Sequence, residues 1–371
     1  MTSPLSIPQA RRSILVAAAS ALLLAGCAGR GPGPVQPTGP LRYQVALLVP
    51  LSGPDGAIGQ ALANAARLAA ADMNAASVNL AVYNTAEGGA GAAAARAIAS
   101  GNRLILGPLL AEEVRAVAPV ARRARVPVIA YSNDQSAAGA GVFILGFVPA
   151  QSIDRVTAFA RADGRQRFAA LAPVTVYGQR SVQSFAESVQ RSGGQLAAVS
   201  SYAAPSEARA VARRLSRQGG FDSVLIADGP RTAATAAPAF RSGTQLLGTD
   251  LWAADRSLGS TPAMRGALYA APNDERFRQF ASRYSARFGS APPRLASLGY
   301  DSMLLTISAT RHWNPRRRFP LDVLTYPEGF VGVDGVFRFG RDGVAQRALE
   351  VRRVTASGTT VVSPAPASFA R

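Results

Sequence analysis

The chain contains a single cysteine, Cys27, whose position indicates a modification and not a disulfide. Arg11 and Arg12 precede an apolar run from Ile14 to Leu24, and small residues lead from there to Cys27. This order is typical of a secretory signal peptide, and a cysteine at the cleavage point is where a lipid is attached through a thioether. We therefore predict that residues 1–26 are a lipoprotein signal peptide and that lipidated Cys27 holds the protein on a membrane.

Two alternatives bear on this segment. A membrane-spanning helix is disfavoured because the apolar run is shorter than the roughly 20 residues that a bilayer requires. The arginine pair also resembles a twin-arginine signal, so both that route and the general export route stay open.

Groups that could perform catalysis are scarce. His312 is the only histidine, and it lies in the arginine-rich run from Arg311 to Arg318, where positive charge disfavours the protonated imidazole. The H-E-x-x-H, C-x-x-C and G-x-S-x-G motifs do not occur. A G-x-G-x-x-A pattern from Gly89 to Ala94 matches a dinucleotide-binding loop, but such a match is weak in a chain rich in alanine and glycine. We predict no enzymatic activity, no cofactor and no metal site.

The formal net charge is +18, and every basic residue except His312 is arginine. A basic surface could bind nucleic acid, anionic lipid or the acidic groups of the cell wall. Because the predicted export separates the protein from nucleic acid, we expect no nucleic-acid partner. The absence of lysine indicates a GC-rich genome at least as much as selection for binding.

The elements that would position a site follow an α/β pattern. From Arg42 onward, short aliphatic runs alternate with alanine-rich segments of helical period, which predicts parallel sheets covered by helices. The length exceeds what one hydrophobic core usually serves, so we expect two doubly wound lobes. Predicted strands include 43–49, 78–83, 104–106, 126–131, 142–147, 168–171, 196–202, 224–227 and two hairpin-like strands at 336–339 and 348–354.

Ligands of open α/β sheets bind beyond the carboxyl ends of the strands, where loop amides and helix N-termini converge. Hydroxyl, amide, phenol and carboxylate side chains follow several predicted strands, together with two leucines. These candidate residues of a cleft between the lobes are Ser52, Leu109, Leu110, Tyr131, Ser132, Asn133, Tyr177 and Asp228.

Six segments together resemble the type I periplasmic binding protein superfamily, in particular its leucine-binding branch, over roughly residues 41–354. They are Val45–Gly53, Leu106–Pro108, Val126–Ile129, Tyr177–Gln179, Gly299–Asp301 and Phe330–Phe339. The resemblance implies two α/β lobes joined by three crossovers that close over a ligand by hinge motion. It implies a first lobe of 41–147 plus about 273–325 and a second lobe of 148–272 plus about 326–371. Residues 27–40 are rich in glycine and proline and lack apolar periodicity, which predicts a tether.

Two branches of that superfamily compete. Leucine-type receptors carry Ser or Thr after the Gly-Pro turn and an Arg-Thr pair before the second lobe, whereas this chain has Leu109-Leu110 and Gly146-Phe147. Leucine side chains cannot donate hydrogen bonds to a ligand carboxylate, so a zwitterion site is disfavoured. The turns at 107–112, 145–149 and 177–180 are instead similar to those of the penicillin-binding-protein activators, lipoproteins that stimulate peptidoglycan synthases.

This second resemblance implies a non-enzymatic regulator of peptidoglycan synthesis in the periplasm, with a bifunctional penicillin-binding protein as its partner. Ala28 and Gly29 follow the cysteine in place of the aspartate that retains lipoproteins in the inner membrane, so the outer membrane is favoured. The alternative is the substrate-binding receptor of an ABC transporter for amino acids or other small polar solutes. In that case the hydroxyls, Asn133 and the tyrosines would line the cleft, and Asp228 would balance a ligand amine.

Overall fold

A computed structural model describes residues 42–255 and 257–369. The predicted signal peptide, Cys27 and the 27–40 tether lie outside these residues. None of the helices in the described part is both long enough and apolar enough to span a bilayer.

The first lobe is built on a five-stranded sheet in the order β2-β1-β3-β4-β5, with every neighbouring pair parallel. Its strands are β1 (Tyr43–Val49), β2 (Val78–Asn84), β3 (Leu104–Leu106), β4 (Val128–Ala130) and β5 (Val142–Ile144). The helices between them are α1 (Gly56–Asp72), α2 (Ala90–Ala99) and α3 (Ala111–Ala124). Val45 and Leu47 contribute to one core and Ala46 and Leu48 to another, because successive side chains of a strand face opposite sides.

The second lobe is built on a seven-stranded sheet in the order β15-β14-β10-β9-β8-β6-β7. Its strands are β6 (Arg167–Pro173), β7 (Gln195–Tyr202), β8 (Ser223–Ile226), β9 (Gln245–Gly248), β10 (Leu268–Ala271), β14 (Glu350–Thr355) and β15 (Gly358–Ser363). Its helices are α4 (Pro149–Ala162), α5 (Val176–Arg191), α6 (Ala208–Gln218) and α7 (Pro230–Ala236). β6 to β10 are parallel, whereas β14 and β15 are antiparallel additions at one edge.

The chain returns to the first lobe after β10. Helices α8 (Asp274–Phe288) and α9 (Ala296–Ala309) pack there, and a small antiparallel sheet of β11 (Phe330–Gly332), β12 (Gly335–Phe339) and β13 (Ala345–Arg347) follows. Phe337 and Phe339 belong to the same buried cluster as Val45 and Leu47. The stretch up to residue 347 therefore packs on the first lobe, although the sequence assigned residues from about 326 to the second.

The predicted fold class is confirmed: two lobes of mixed α/β structure are built on parallel sheets and joined by three crossovers, near 145–148, 272–273 and 348–349. The two hairpin-like strands predicted near the C-terminus do not pair with each other. β12 pairs with β11 and β13, whereas β14 pairs with β10 and β15.

Candidate functional site

A cavity of about 740 Å³ lies between the two lobes. Loops after β3 and β4 of the first lobe contribute Leu109, Leu110, Tyr131 and Asn133 to its wall, and the second lobe contributes Tyr177 and Asp250. Phe147 and Pro272 come from two of the crossovers. The cavity is therefore placed at the carboxyl ends of the strands and is backed by the hinge, where open α/β sheets bind ligands.

The structure brings five of the eight predicted cleft residues together, and three lie elsewhere. Leu109, Leu110, Tyr131, Asn133 and Tyr177 line the cavity, whereas Ser52, Ser132 and Asp228 do not.

Local contacts account for each residue that lies away from the cavity. Ser52 is exposed in the loop that follows β1. Ser132 is buried and accepts a hydrogen bond from the Asp134 amide. Asp228 accepts hydrogen bonds from the Tyr202 hydroxyl and the Gly229 amide, so its carboxylate is occupied within the second lobe.

The two leucines reach the cavity because of the tight turn after β3. Gly107 has φ +80°, and a Cβ atom there would collide with the Leu48 carbonyl oxygen of the neighbouring strand. The first turn of α3 begins immediately afterwards, and the Glu113 carboxylate accepts a hydrogen bond from the Leu110 amide at 3.3 Å. The Glu113 side chain therefore already accepts the hydrogen bond of the Leu110 amide at the start of α3. The cavity wall presents the side chains of Leu109 and Leu110 to a ligand.

Two tyrosines of the wall are held by hydrogen bonds to other elements. The Tyr131 hydroxyl is 2.7 Å from Ser302 Oγ on α9, and the Tyr177 hydroxyl is 2.9 Å from Thr249 Oγ1 after β9. Burial raises the pKa of both phenols well above its ordinary value. Both hydroxyls therefore stay protonated, and each ring can present an apolar face to a solute.

Asp250 is a wall residue that the sequence analysis missed. Its Oδ1 accepts a hydrogen bond from Ser152 Oγ at 3.0 Å, and it forms no ion pair with a described residue. Desolvation by burial raises the pKa of Asp250. The signal that could have located it is Gly248-Thr249-Asp250 after β9, but this short strand was not predicted.

A network of charged groups surrounds the hinge side of the cavity. Asp274, another wall residue, is 2.6 Å from Arg294 and 2.7 Å from Arg352. Arg294 also contacts Asp334, and Arg352 contacts Glu350. Burial opposes ionisation of Asp274, but hydrogen bonds and attraction from Arg352 and Arg294 outweigh it, so the pKa of Asp274 is lowered.

A second ionic contact joins the lobes at the rim. Asp134, which follows β4, is 2.5 Å from Arg115 of the first lobe and 2.9 Å from Arg180 on α5 of the second. Desolvation opposes ionisation of Asp134, yet hydrogen bonds from Ser136 and Arg180 lower its pKa. The two lobes are thus tied by charge across the mouth of the cleft.

Chemically, the arrangement can hold a solute but shows little catalytic machinery. Within residues 42–255 and 257–369, no three His, Cys, Asp or Glu side chains converge as a metal site requires. His312, the only histidine that could serve as a general base, packs edge-on against Tyr326. It is not among the residues that line the cavity.

Comparisons with known proteins agree with the architecture. Residues 42–359 match the family described as periplasmic binding protein. A comparison with curated protein sequences finds no match.

Three solved structures show how widely this fold is used. A putative branched-chain amino acid ABC transporter from Rhodospirillum rubrum is 20% identical with a TM-score of 0.78, over 87% of this chain and 100% of that chain. A solute-binding protein of an ABC transporter from R. palustris, in complex with benzoate, is 16% identical with a TM-score of 0.63, over 89% and 98%. The C-domain of LpoA from Haemophilus influenzae, a regulator of PBP1A, is 17% identical with a TM-score of 0.69, over 86% and 99%. At these identities the likeness shows the fold alone.

Proposed function

Because the chain belongs to the periplasmic binding protein family, we propose that it is a non-enzymatic periplasmic receptor that closes its lobes over a small solute with a largely apolar body. The observation that carries this proposal is the open cavity of about 740 Å³ between the lobes. Sites for small molecules have volumes of roughly 300–1,000 Å³. Leu109, Leu110 and Tyr131 line this space without filling it.

The first-lobe wall supports an apolar solute. Leu109, Leu110 and Phe147 line the cavity, and they stand at the turns where the resemblance to leucine-type receptors implies hydroxyl donors for an amino-acid carboxylate. A carboxylate left short of donors in a desolvated cleft costs about 1–3 kcal/mol per missing hydrogen bond. Free α-amino acids are therefore poor candidates, and an aliphatic or aromatic body is favoured on this side.

The polar side chains of the cavity wall can fix the orientation of a bound solute. The polar side chains of this wall are those of Asn133, Tyr177 and Asp250, together with the charged residues Asp55, Asp274, Arg278 and Arg294. A few convergent polar groups in an otherwise apolar site fix the pose of a ligand and select it. The R. palustris solute-binding protein with this fold was solved in complex with benzoate, which supports the same class of solute.

Thermal-shift screening of residues 42–371 tests the proposal. A solute present at 100 times its Kd adds about 2.7 kcal/mol to the free energy of unfolding. We expect compounds with apolar bodies to raise the melting temperature and free amino acids to leave it unchanged. Leu109→Arg, which places charge in the cavity, should abolish the shift, whereas Val361→Arg on exposed β15 should not. Stabilisation by leucine alone would contradict the proposal.

Lipidation and placement are part of the same proposal. We propose that Cys27 is acylated and that the mature protein is attached to the outer membrane, since Ala28 and Gly29 follow the cysteine. Mass spectrometry of the N-terminal peptide checks the first point, and sucrose-gradient separation of the two membranes checks the second. A Cys27→Ala variant found in the soluble periplasmic fraction would support both, and an unacylated residue 27 would contradict both.

A second candidate is a penicillin-binding-protein activator that regulates peptidoglycan synthesis. The observation that favours it is the ionic contact between Asp134 and Arg180, which joins the two lobes directly. A protein-binding regulator needs such a fixed surface, and the activator-like turns at 107–112 and 177–180 lie at this cleft. The same fold occurs in the C-domain of LpoA.

Pull-down against the cell's bifunctional penicillin-binding proteins tests this candidate, followed by glycan polymerisation with and without the chain. Binding with stimulated polymerisation would establish the regulator. If the chain neither binds nor stimulates these proteins and thermal shift identifies a solute, the activator hypothesis is contradicted and the receptor hypothesis is supported.

A further inference from the structure

The side chain of Arg347 is the least satisfied buried charge among the described residues. Only 8% of the residue is exposed, and it lies at the end of β13 beside the third crossover. Nη2 donates a hydrogen bond to the Leu145 carbonyl at 2.6 Å. Nε and Nη1 have no hydrogen-bond partner, and no described carboxylate lies within ion-pair distance of Arg347.

This arrangement is costly without a further partner. A buried charge normally retains a counter-charge or a full set of hydrogen bonds, and a buried donor without a partner destabilises the fold. Arginine stays protonated in proteins, so neutralisation does not relieve the cost. The carboxylates of Asp334 and Asp301 attract Arg347 from beyond ion-pair distance. The aromatic faces of Phe147 and Phe337 have centroids 4.7 and 5.4 Å from the Arg347 Cζ, and neither contribution satisfies the Nε and Nη1 donors.

The void beside Arg347 adjoins the cavity between the lobes. It measures about 10 Å³, which is room for about one water molecule. Its walls come from all three crossovers, through Phe147 and Val148, Pro272, and Arg347 and Leu349. Phe147, Asp250 and Pro272 line both this recess and the large cavity. The Phe147 ring therefore lies where a rotation would join the two spaces.

We propose that Arg347 is the anion subsite of the cavity, and that it binds the carboxylate of an apolar monocarboxylic acid whose body lies against Leu109 and Leu110. The carboxylate passes Phe147 and accepts hydrogen bonds from Nε and Nη1, the forked geometry in which guanidinium groups hold carboxylates. This inference rests on the proposed solute-binding function and specifies the class of solute.

Asp250 fits this assignment as a hydrogen-bond donor. It shares the recess with Arg347, and burial raises the pKa of its carboxyl group. In the protonated form it donates to the solute carboxylate. The ammonium group of a zwitterion would then lie beside the guanidinium, so the subsite favours monocarboxylic acids over free amino acids.

Isothermal titration of residues 42–371 with benzoate and with benzamide tests the subsite. The two probes share a ring and differ in charge. We expect the wild type to prefer benzoate at least about tenfold, equivalent to about 1.4 kcal/mol. Arg347→Met, which keeps the length of the side chain, should bring the two affinities within about twofold. Arg353→Met, an exposed arginine on neighbouring β14, should retain the wild-type preference.

Phe147→Ala provides a second test that leaves the charge in place. Because it opens the recess, it should strengthen benzoate binding relative to benzamide. Circular dichroism of each variant verifies that it is folded. A wild type and a Phe147→Ala variant that both bind benzamide as tightly as benzoate would overturn the subsite, as would an Arg347→Met variant that keeps the preference. If neutral apolar solutes bind but the preference for benzoate over benzamide is absent, the anion subsite is contradicted and the receptor function is not. If no solute binds, the receptor function itself is contradicted.

Discussion

Arg180 Nη1 lies 2.9 Å from Asp134 Oδ1, and this contact crosses from the second lobe to the first. Asp134 is 2% exposed and also binds Arg115, whereas Arg180 is 43% exposed at its side chain. The carboxylate is therefore a fixed part of the first lobe, and Arg180 is the part that leaves when the lobes separate. The contact stabilises the closed arrangement more than it stabilises either lobe.

Removing Arg180 should open the cleft without unfolding the protein. For Arg180→Ala we expect a larger radius of gyration by small-angle X-ray scattering, and a change in unfolding free energy below about 1 kcal/mol because the pair is partly solvated. The matched control is Arg191→Ala on the same helix, whose partner Asp154 lies within the second lobe. That variant should keep the wild-type radius. Equal radii for all three proteins would contradict a closing role for Arg180.

Much of the fold could be predicted because long apolar runs carry a clear signal. The seven residues Tyr43–Val49 form β1 as predicted, since a strand covered on both faces is apolar throughout. β9 and β10 were missed because Gln245–Gly248 has only two consecutive apolar residues and the alanines of Leu268–Ala271 resemble those of the alanine-rich helical segments.

The candidate site was predictable only where it follows a strand directly. Leu109, Leu110 and Tyr131 were located from strand-to-loop junctions. Asp250 and Arg347 were missed, because their proximity depends on crossovers that join segments almost one hundred residues apart. In the sequence, a charged residue of a polar segment cannot be distinguished from a surface charge, because its burial depends on how the crossovers pack.

The turn that places Leu109 and Leu110 should depend on glycine at position 107. Gly107→Ala would adopt φ +80° and place its Cβ against the Leu48 carbonyl, so we expect a loss of about 2–3 kcal/mol in unfolding free energy. Gly53→Ala is the control, because Gly53 has φ +75° but no atom within 4 Å of an added Cβ. It should lose only about 1 kcal/mol. Urea denaturation measures both, and equal losses would show that the close contact is unimportant.

The ion pairs of Asp274 should make the hinge sensitive to acid. The folded-state pKa of this carboxyl lies below its usual value, so its stabilisation is fully present above the unfolded pKa of about 4 and is lost as pH falls through the folded value. Asp274→Asn should lower the unfolding free energy by about 2 kcal/mol at pH 7 and by less at pH 3. Urea midpoints at the two pH values check this. A variant whose deficit is the same at both would assign the loss to packing and not to charge.

Asp301 should have the opposite pH dependence. Its carboxyl is fully buried on α9, Oδ1 accepts the Val333 amide at 2.6 Å, and Oδ2 has no hydrogen-bond partner. Burial first, and then the nearby charge of Asp334, raise the pKa of Asp301 to about 7.

Because the folded state retains this proton more strongly than the unfolded chain, the stabilisation is present below about pH 4 and is lost as pH rises through 7. Asp301→Asn keeps the acceptor for Val333 and removes the ionisation. We expect its urea midpoint to fall less than that of the wild type between pH 5 and pH 9, with the two curves diverging up to about pH 7 and running parallel above it. Thr306→Ser, a control on the same helix that keeps the hydroxyl bonded to the Ser302 carbonyl, should parallel the wild type at every pH. Parallel curves for Asp301→Asn and the wild type would show that this carboxyl does not carry the alkaline loss.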